Sequence, residues 1–193
     1  MTMPAEEGER LHPGSRAEWR AWLAEHHDRS DEVWLVLWRQ RSGRAGLTYE
    51  ESVLEALCFG WIDGKSAGLD DERTMLRFSP RKRGSGWARS NKLRVERLLA
   101  EGLMTEAGLA LVEEAKRDGS WTKLDAVEDL VVPDDLAAAL AAQPGARETW
   151  DGFSRSVRRA ALARIVEAKR PETRAKWVAE TARLTARGER PGQ

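Results

Sequence analysis

From Ser15 onward the apolar positions fall into two kinds of pattern. Trp19, Trp22, Leu23 and His26 recur at the spacing of one helical face. Ser15, with Glu18 three residues on, has the form of a capping box. Together they predict a helix over 15–28. The segment 32–38 (EVWLVLW) holds an unbroken apolar run of strand length, rich in Val and Trp, and predicts a strand buried on both faces. A basic, Gly-containing loop at 39–46 follows. Thr48 and Glu51 then form a second capping box, opening a helix over 49–59 that carries Val53, Ala56 and Leu57. The stretch 61–79 has the form of a β-hairpin, with arms WIDGKSAG and ERTMLRFS and its turn at Leu69-Asp70-Asp71.

Past the basic, Gly/Ser-rich loop 80–91 (PRKRGSGWARSN) the pattern is helical throughout. Helices are predicted at about 91–101, 105–117, 134–142, 145–151, 155–169 and 172–187, with 119–132 and 152–154 as spacers. The fold class that follows is α+β. A small antiparallel sheet has helices packed on one face, and an all-helical C-terminal module comes after it. The expected organisation is a disordered tail at 1–14, an α+β domain at 15–118, and a helical module at 119–193 packed on it.

Composition narrows the function classes. With 32 basic and 32 acidic side chains among 193 residues the chain is formally neutral, which argues against a general nucleic-acid coat but leaves room for a local basic patch. Charge is unevenly placed. The stretch 73–97 has nine basic residues against one acidic, 118–151 has two against eight, and 155–190 has eleven against four. Opposite blocks suit docking within the chain, and they also suit a partner. The single cysteine, Cys58, excludes an intramolecular disulfide and a cysteine-based zinc site. On the apolar side of a short helix it reads as a small buried hydrophobe. No apolar run approaches the roughly 20 residues of a membrane helix. Residues 1–13 lack the apolar core of a secretory signal, so the expected compartment is the cytoplasm.

Candidate chemistry concentrates in the hairpin and the loop after it. Arg77, Arg81, Lys82, Arg83 and Arg89, with Phe78 and Trp87 interleaved, offer guanidinium forks for an anion and indole or phenyl faces for stacking. That combination suits a small anionic or aromatic molecule, or less well a single-stranded nucleic acid. Trp61, Asp63 and Lys65 lie at the start of the hairpin and Asn91 closes the loop. Asp63 either binds a cationic group or acts as a general base, or else caps a turn or pairs with an arginine of the loop. Gly64-Lys65-Ser66 looks like the end of a phosphate-binding loop. The first glycine of that motif would fall at Phe59, however, and the context is a hairpin rather than strand-to-helix, so nucleotide binding by this motif is excluded. His26 and His27 are adjacent and His12 is distant, which is not metal-ligand spacing. No catalytic residue, metal or cofactor is assigned. The nine tryptophans among thirteen aromatics are read mainly as core.

Five stretches carry a resemblance: ALCFGWIDG at 56–64, FSPRKRGSGWARSN at 78–91, VPDDLAAAL at 132–140, FSRSVRRAAL from Phe153 and EAKRPETRAKWV from Glu167. Together they resemble the YdeI/OmpD-associated, or bacteriocin-protection, family, whose N-terminal part is YjbR/CyaY-like. In the loop this chain has Gly86 and Ala88 where the family usually carries polar residues. The resemblance implies an α+β fold and a link to envelope stress, cationic antimicrobial peptides and bacteriocins, with no generally established enzymatic activity. The expected function is therefore a cytoplasmic protein that resists stress or a toxin by sequestering a small ligand, held by Trp61, Asp63, Lys65, Arg77, Phe78, Arg81, Arg83, Trp87 and Asn91. The rivals are an enzyme using Asp63 and the arginine loop on an anionic substrate, and a nucleic-acid adaptor using the basic blocks.

Overall fold

A computed structural model describes residues 8–192. The chain forms two units: residues up to Arg83 together with Asn91–Arg117, and Gly84–Ser90 together with the chain from Asp118 onward. The basic loop is thus divided between them.

The first unit is built on a four-stranded sheet of order β1-β2-β4-β3, comprising β1 (Arg10–Leu11), β2 (Val33–Trp38), β3 (Trp61–Gly68) and β4 (Arg73–Pro80). β2 and β3 flank β4 antiparallel, as the hairpin and the apolar run predict. The sheet is nevertheless mixed rather than purely antiparallel, because β1 pairs in parallel with β2, Arg10 opposite Trp34 and Leu11 opposite Leu35. Residues 10 and 11 therefore belong to the sheet and not to a disordered tail. A two-residue strand with one arginine carries no periodicity from which to read it. Residues 1–7 of the expected tail lie outside the described residues.

Directly opposed residues of an antiparallel pair share a face. Val33, Leu35 and Leu37 lie opposite Phe78, Leu76 and Thr74. This face packs against α1 (Arg16–His26) and α2 (Tyr49–Cys58), with Trp19 against Phe78 at 5.4 Å between ring centroids. Trp34 and Val36 lie opposite Arg77 and Met75 and form a small cluster on the other face. β2 is accordingly buried on both sides. Each large buried ring needs an outlet for its indole N–H. Trp19 donates to the Ser52 carbonyl and Trp61 to the His27 carbonyl, both at 3.0 Å.

The caps fix where the first two helices begin. The Thr48–Glu51 box is complete, with each side chain on the other residue's backbone N–H. The first box is half made: Ser15 Oγ accepts from the Glu18 N–H, while the Glu18 carboxylate takes the N–H of Gly14 instead. α3 (Arg89–Ala100) and α4 (Glu106–Asp118) follow the hairpin.

In the second unit α5 (Asp125–Glu128), α6 (Asp134–Ala141), α7 (Ala146–Gly152), α8 (Arg155–Val166) and α9 (Pro171–Ala186) enclose a core of Leu136, Leu140, Trp150, Leu162 and Ile165. α5 occupies the stretch expected as a spacer, because four residues are too few to show a helical period. α8 stops three residues short of its predicted end. Pro171 forces Arg170 into extended backbone, φ −108° and ψ 137°, so the helix must end before it.

Candidate functional site

Several polar side chains of the first unit meet at the N-terminus of α2. The capping box places Tyr49 as the first helical residue, and its ring lies half exposed beside the sheet. On β3 the pairing passes from Asp63 opposite Phe78 to Ser66 opposite Leu76. Gly64 and Lys65 therefore oppose the single residue Arg77, which is a β-bulge. Without the bulge, residues three apart would point to opposite faces. With it, Asp63 and Ser66 both face α2. The Tyr49 hydroxyl donates to Asp63 Oδ2 at 2.9 Å.

The pair lies on the rim of a cleft of about 450 Å³. Leu37 and Leu76 give it an apolar floor, and Arg39, Gln40, Tyr49, Asp63, Ser66 and Thr74 supply polar groups. A second hollow of about 620 Å³ shares Trp38, Arg39, Gln40 and Tyr49 with it and runs on along Gly43–Glu50. From α3, Arg94 grips Glu50 with two bonds of 2.9 and 2.6 Å and donates to Asn91 Oδ1 at 2.8 Å.

This network sets protonation states. Burial, and then the hydrogen bond to Asp63, push the Tyr49 phenol above its ordinary value, so at neutral pH it is protonated and acts as a donor. The Arg94 guanidinium hydrogen-bonded to Glu50 holds that carboxyl below the usual range. Arg39 spends its Nε on the carbonyls of Asp70 and Arg73, which clamps the hairpin turn to the end of β2. The arrangement offers an acceptor, a donor and an apolar floor within one cleft, which is the make-up of a small-molecule site.

The residues singled out from the sequence are distributed differently from one another. Asp63 lines the cleft, and Asn91 joins its supporting network through Arg94. Lys65 sits exposed in the bulge. Arg77 is on the opposite face of the sheet, where it pairs with Glu32 at 2.8 Å. Arg81 is half-buried just after β4, and Arg83 reaches Glu114 at 3.2 Å. Three aromatic members are core: Trp61 and Phe78 are at most 1 % exposed within the first unit. Trp87 is 2 % exposed in the second, 5.0 Å from Trp121 between ring centroids. They offer no open ring face for stacking. Periodicity places an aromatic on a face of its strand, but only the fold says what covers that face. Tyr49, Arg39, Glu50 and Arg94 were missed. Tyr49 is the sole tyrosine of the chain and follows a capping threonine, which is a signal of position and not of function.

In the second unit the acidic block meets arginines of the same unit. Asp129 pairs with Arg89 at 2.7 Å, Glu128 with Arg159 at 2.7 Å, and Asp135 with Arg174 at 2.8 Å. Three carboxylates of the acidic block are thereby matched inside this unit.

Fold and cleft together define an α+β protein with a small polar-rimmed cleft on its sheet, joined to a helical unit. The chain belongs to the family described as a domain of unknown function (DUF8412), whose model matches residues 11–111, more than half of its length. Residues 129–188 match the model of the bacteriocin-protection, YdeI or OmpD-associated family, in agreement with the resemblance of the C-terminal stretches. The N-terminal match carries no YjbR/CyaY-like assignment. No curated protein and no solved structure matches the chain.

Proposed function

We propose that this chain is a small-ligand-binding protein of the bacteriocin-protection type, acting in the cytoplasm and resisting stress or a toxin by sequestration. The ligand occupies the cleft beside α2. The observation that carries this reading is the Tyr49–Asp63 hydrogen bond on the rim of an apolar-floored cleft. Tyr49 orients the carboxylate through one oxygen, and the other is directed to a donor on the ligand. The floor of Leu37 and Leu76 takes an apolar body, and Thr74, Ser66 and Gln40 take further polar edges. The ligand is thus a small amphipathic molecule bearing at least one N–H or O–H donor. The match of residues 129–188 to the bacteriocin-protection family supports the physiological side of the proposal.

A thermal-shift screen of a metabolite library on the full chain tests it, because a ligand that binds the folded state raises apparent stability. Asp63→Asn is expected to weaken the hit by roughly 1–3 kcal/mol, the scale of a hydrogen bond to a charged group. Melting should be unchanged, because Asp63 is only partly buried. Unaltered affinity in that variant would remove the cleft as the site. Fractionation of the native host tests the compartment, and recovery outside the cytoplasm would contradict it.

A further inference from the structure

Between the end of α8 and the start of α9 lies a shallow, open hollow of about 480 Å³, lined by Arg164, Glu167, Lys169, Arg170, Thr173 and Trp177. Its cations differ from most of those around them. Arg89, Arg147, Arg155, Arg159, Arg174 and Arg183 each meet a carboxylate within 4.0 Å. Among the described residues, Arg164, Lys169 and Arg170 meet none, and all three are exposed. The one acid in the lining is already engaged. Glu167 Oε1 accepts from the Gly86 N–H at 3.1 Å, and Oε2 pairs with Lys123 at 3.2 Å. Arg164 is also held in place, its guanidinium carbon 3.3 Å from the centroid of the Trp177 ring. A guanidinium stacked on an indole keeps its in-plane N–H donors directed outward and loses less freedom when an anion arrives.

We infer that this open hollow is an anion site for a phosphate-bearing small molecule. Three cations that form no salt bridge of their own, with Glu180 acting on Arg164 only at longer range, suit a doubly charged phosphoryl group better than a single carboxylate. The Thr173 hydroxyl adds a neutral donor, and guanidinium forks match phosphate oxygens two at a time. The site lies wholly within the second unit and shares no residue with the cleft beside α2.

Calorimetric titration of the full chain with inorganic phosphate, pyrophosphate and acetate tests the inference. Saturable binding is expected, with pyrophosphate ahead of phosphate and acetate silent. Arg164→Gln and Arg170→Gln should each weaken pyrophosphate roughly tenfold or more, the loss of one charge-assisted bond, with wild-type melting curves because both side chains are exposed. Asp63→Asn should leave this binding unchanged, so the two sites stand or fall separately. The inference is overturned if pyrophosphate gives no saturable heat at millimolar concentration, or if both arginine variants bind it as the wild type does. It is equally overturned if a single-stranded oligonucleotide binds far more tightly than pyrophosphate with a salt dependence of several phosphate contacts, which would make the hollow part of a nucleic-acid track.

Discussion

Tyr49 and Trp87 show how differently two aromatic side chains can serve one protein. Tyr49 stands half exposed at a helix start and gives its hydroxyl to Asp63. Trp87, with two loop glycines and a set of arginines around it in sequence, reads as a stacking platform, yet it is buried against Trp121. Trp87→Ala is therefore expected to cost about 3–5 kcal/mol of stability, as large-to-small core changes of this size do, and chemical denaturation checks it. A near-wild-type midpoint would restore the stacking role. Tyr49→Phe keeps the ring and deletes only the donor, so its midpoint should move little while cleft binding weakens. Asp63 was legible as a site candidate because it is a carboxylate close to Trp61 at the start of the hairpin. Tyr49 was not, because it comes to Asp63 only through packing of α2 on the sheet. Glu128 supplies the pH dependence. It is 8 % exposed, and its hydrogen bond to Arg159 lowers its carboxyl below the ordinary value. A carboxyl depressed in the folded state stabilises the protein fully above its unfolded value of about 4.3, and that contribution is lost as pH falls through the lower folded value. Glu128→Gln should thus lower stability at pH 7 by roughly 1–3 kcal/mol, with the gap to wild type closing below about pH 4. A gap that stays constant down to pH 3 would show that the pair contributes nothing through ionisation.

Elements were legible where length and period spoke clearly. The apolar run of β2, the hairpin and the helices from α3 onward follow from pattern alone, apart from four-residue α5. What escaped was set by contacts distant in sequence: the parallel pairing of β1, and the bulge that turns Asp63 and Ser66 to one side. Helix crossing makes a sharp demand at Gly108, where α4 passes the end of α2. Any Cβ there would collide with the Cys58 carbonyl, while at Gly152 in α7 nothing lies within 4 Å. Gly108→Ala should cost about 1–3 kcal/mol or more, and Gly152→Ala should stay within about 0.5 kcal/mol of wild type. Equal midpoints for the two in urea would contradict the close crossing.

At the scale of the molecule, the family matches follow the same division as the fold. One model covers residues 11–111, mostly the sheet unit, and the other covers 129–188, within the helical unit. The basic loop, which sequence alone presents as one feature, is split at Gly84, and its tryptophan goes with the helices. None of the described helices is long and apolar enough to cross a membrane. Glu128, Asp129 and Asp135 of the acidic block pair with arginines inside the second unit, while Arg164, Lys169 and Arg170 between α8 and α9 form no salt bridge among the described residues. The two proposed sites thus belong to different units, and the cleft on the sheet carries the central claim.

The most direct test of that claim is calorimetric titration of the strongest thermal-shift hit into the wild type, Asp63→Asn and Arg77→Ala. Asp63 and Arg77 sit on opposite faces of one hairpin. The account predicts an affinity loss of roughly tenfold or more for Asp63→Asn and wild-type affinity for Arg77→Ala. Lost binding in Arg77→Ala with full binding in Asp63→Asn would place the ligand on the other side of the sheet and contradict it.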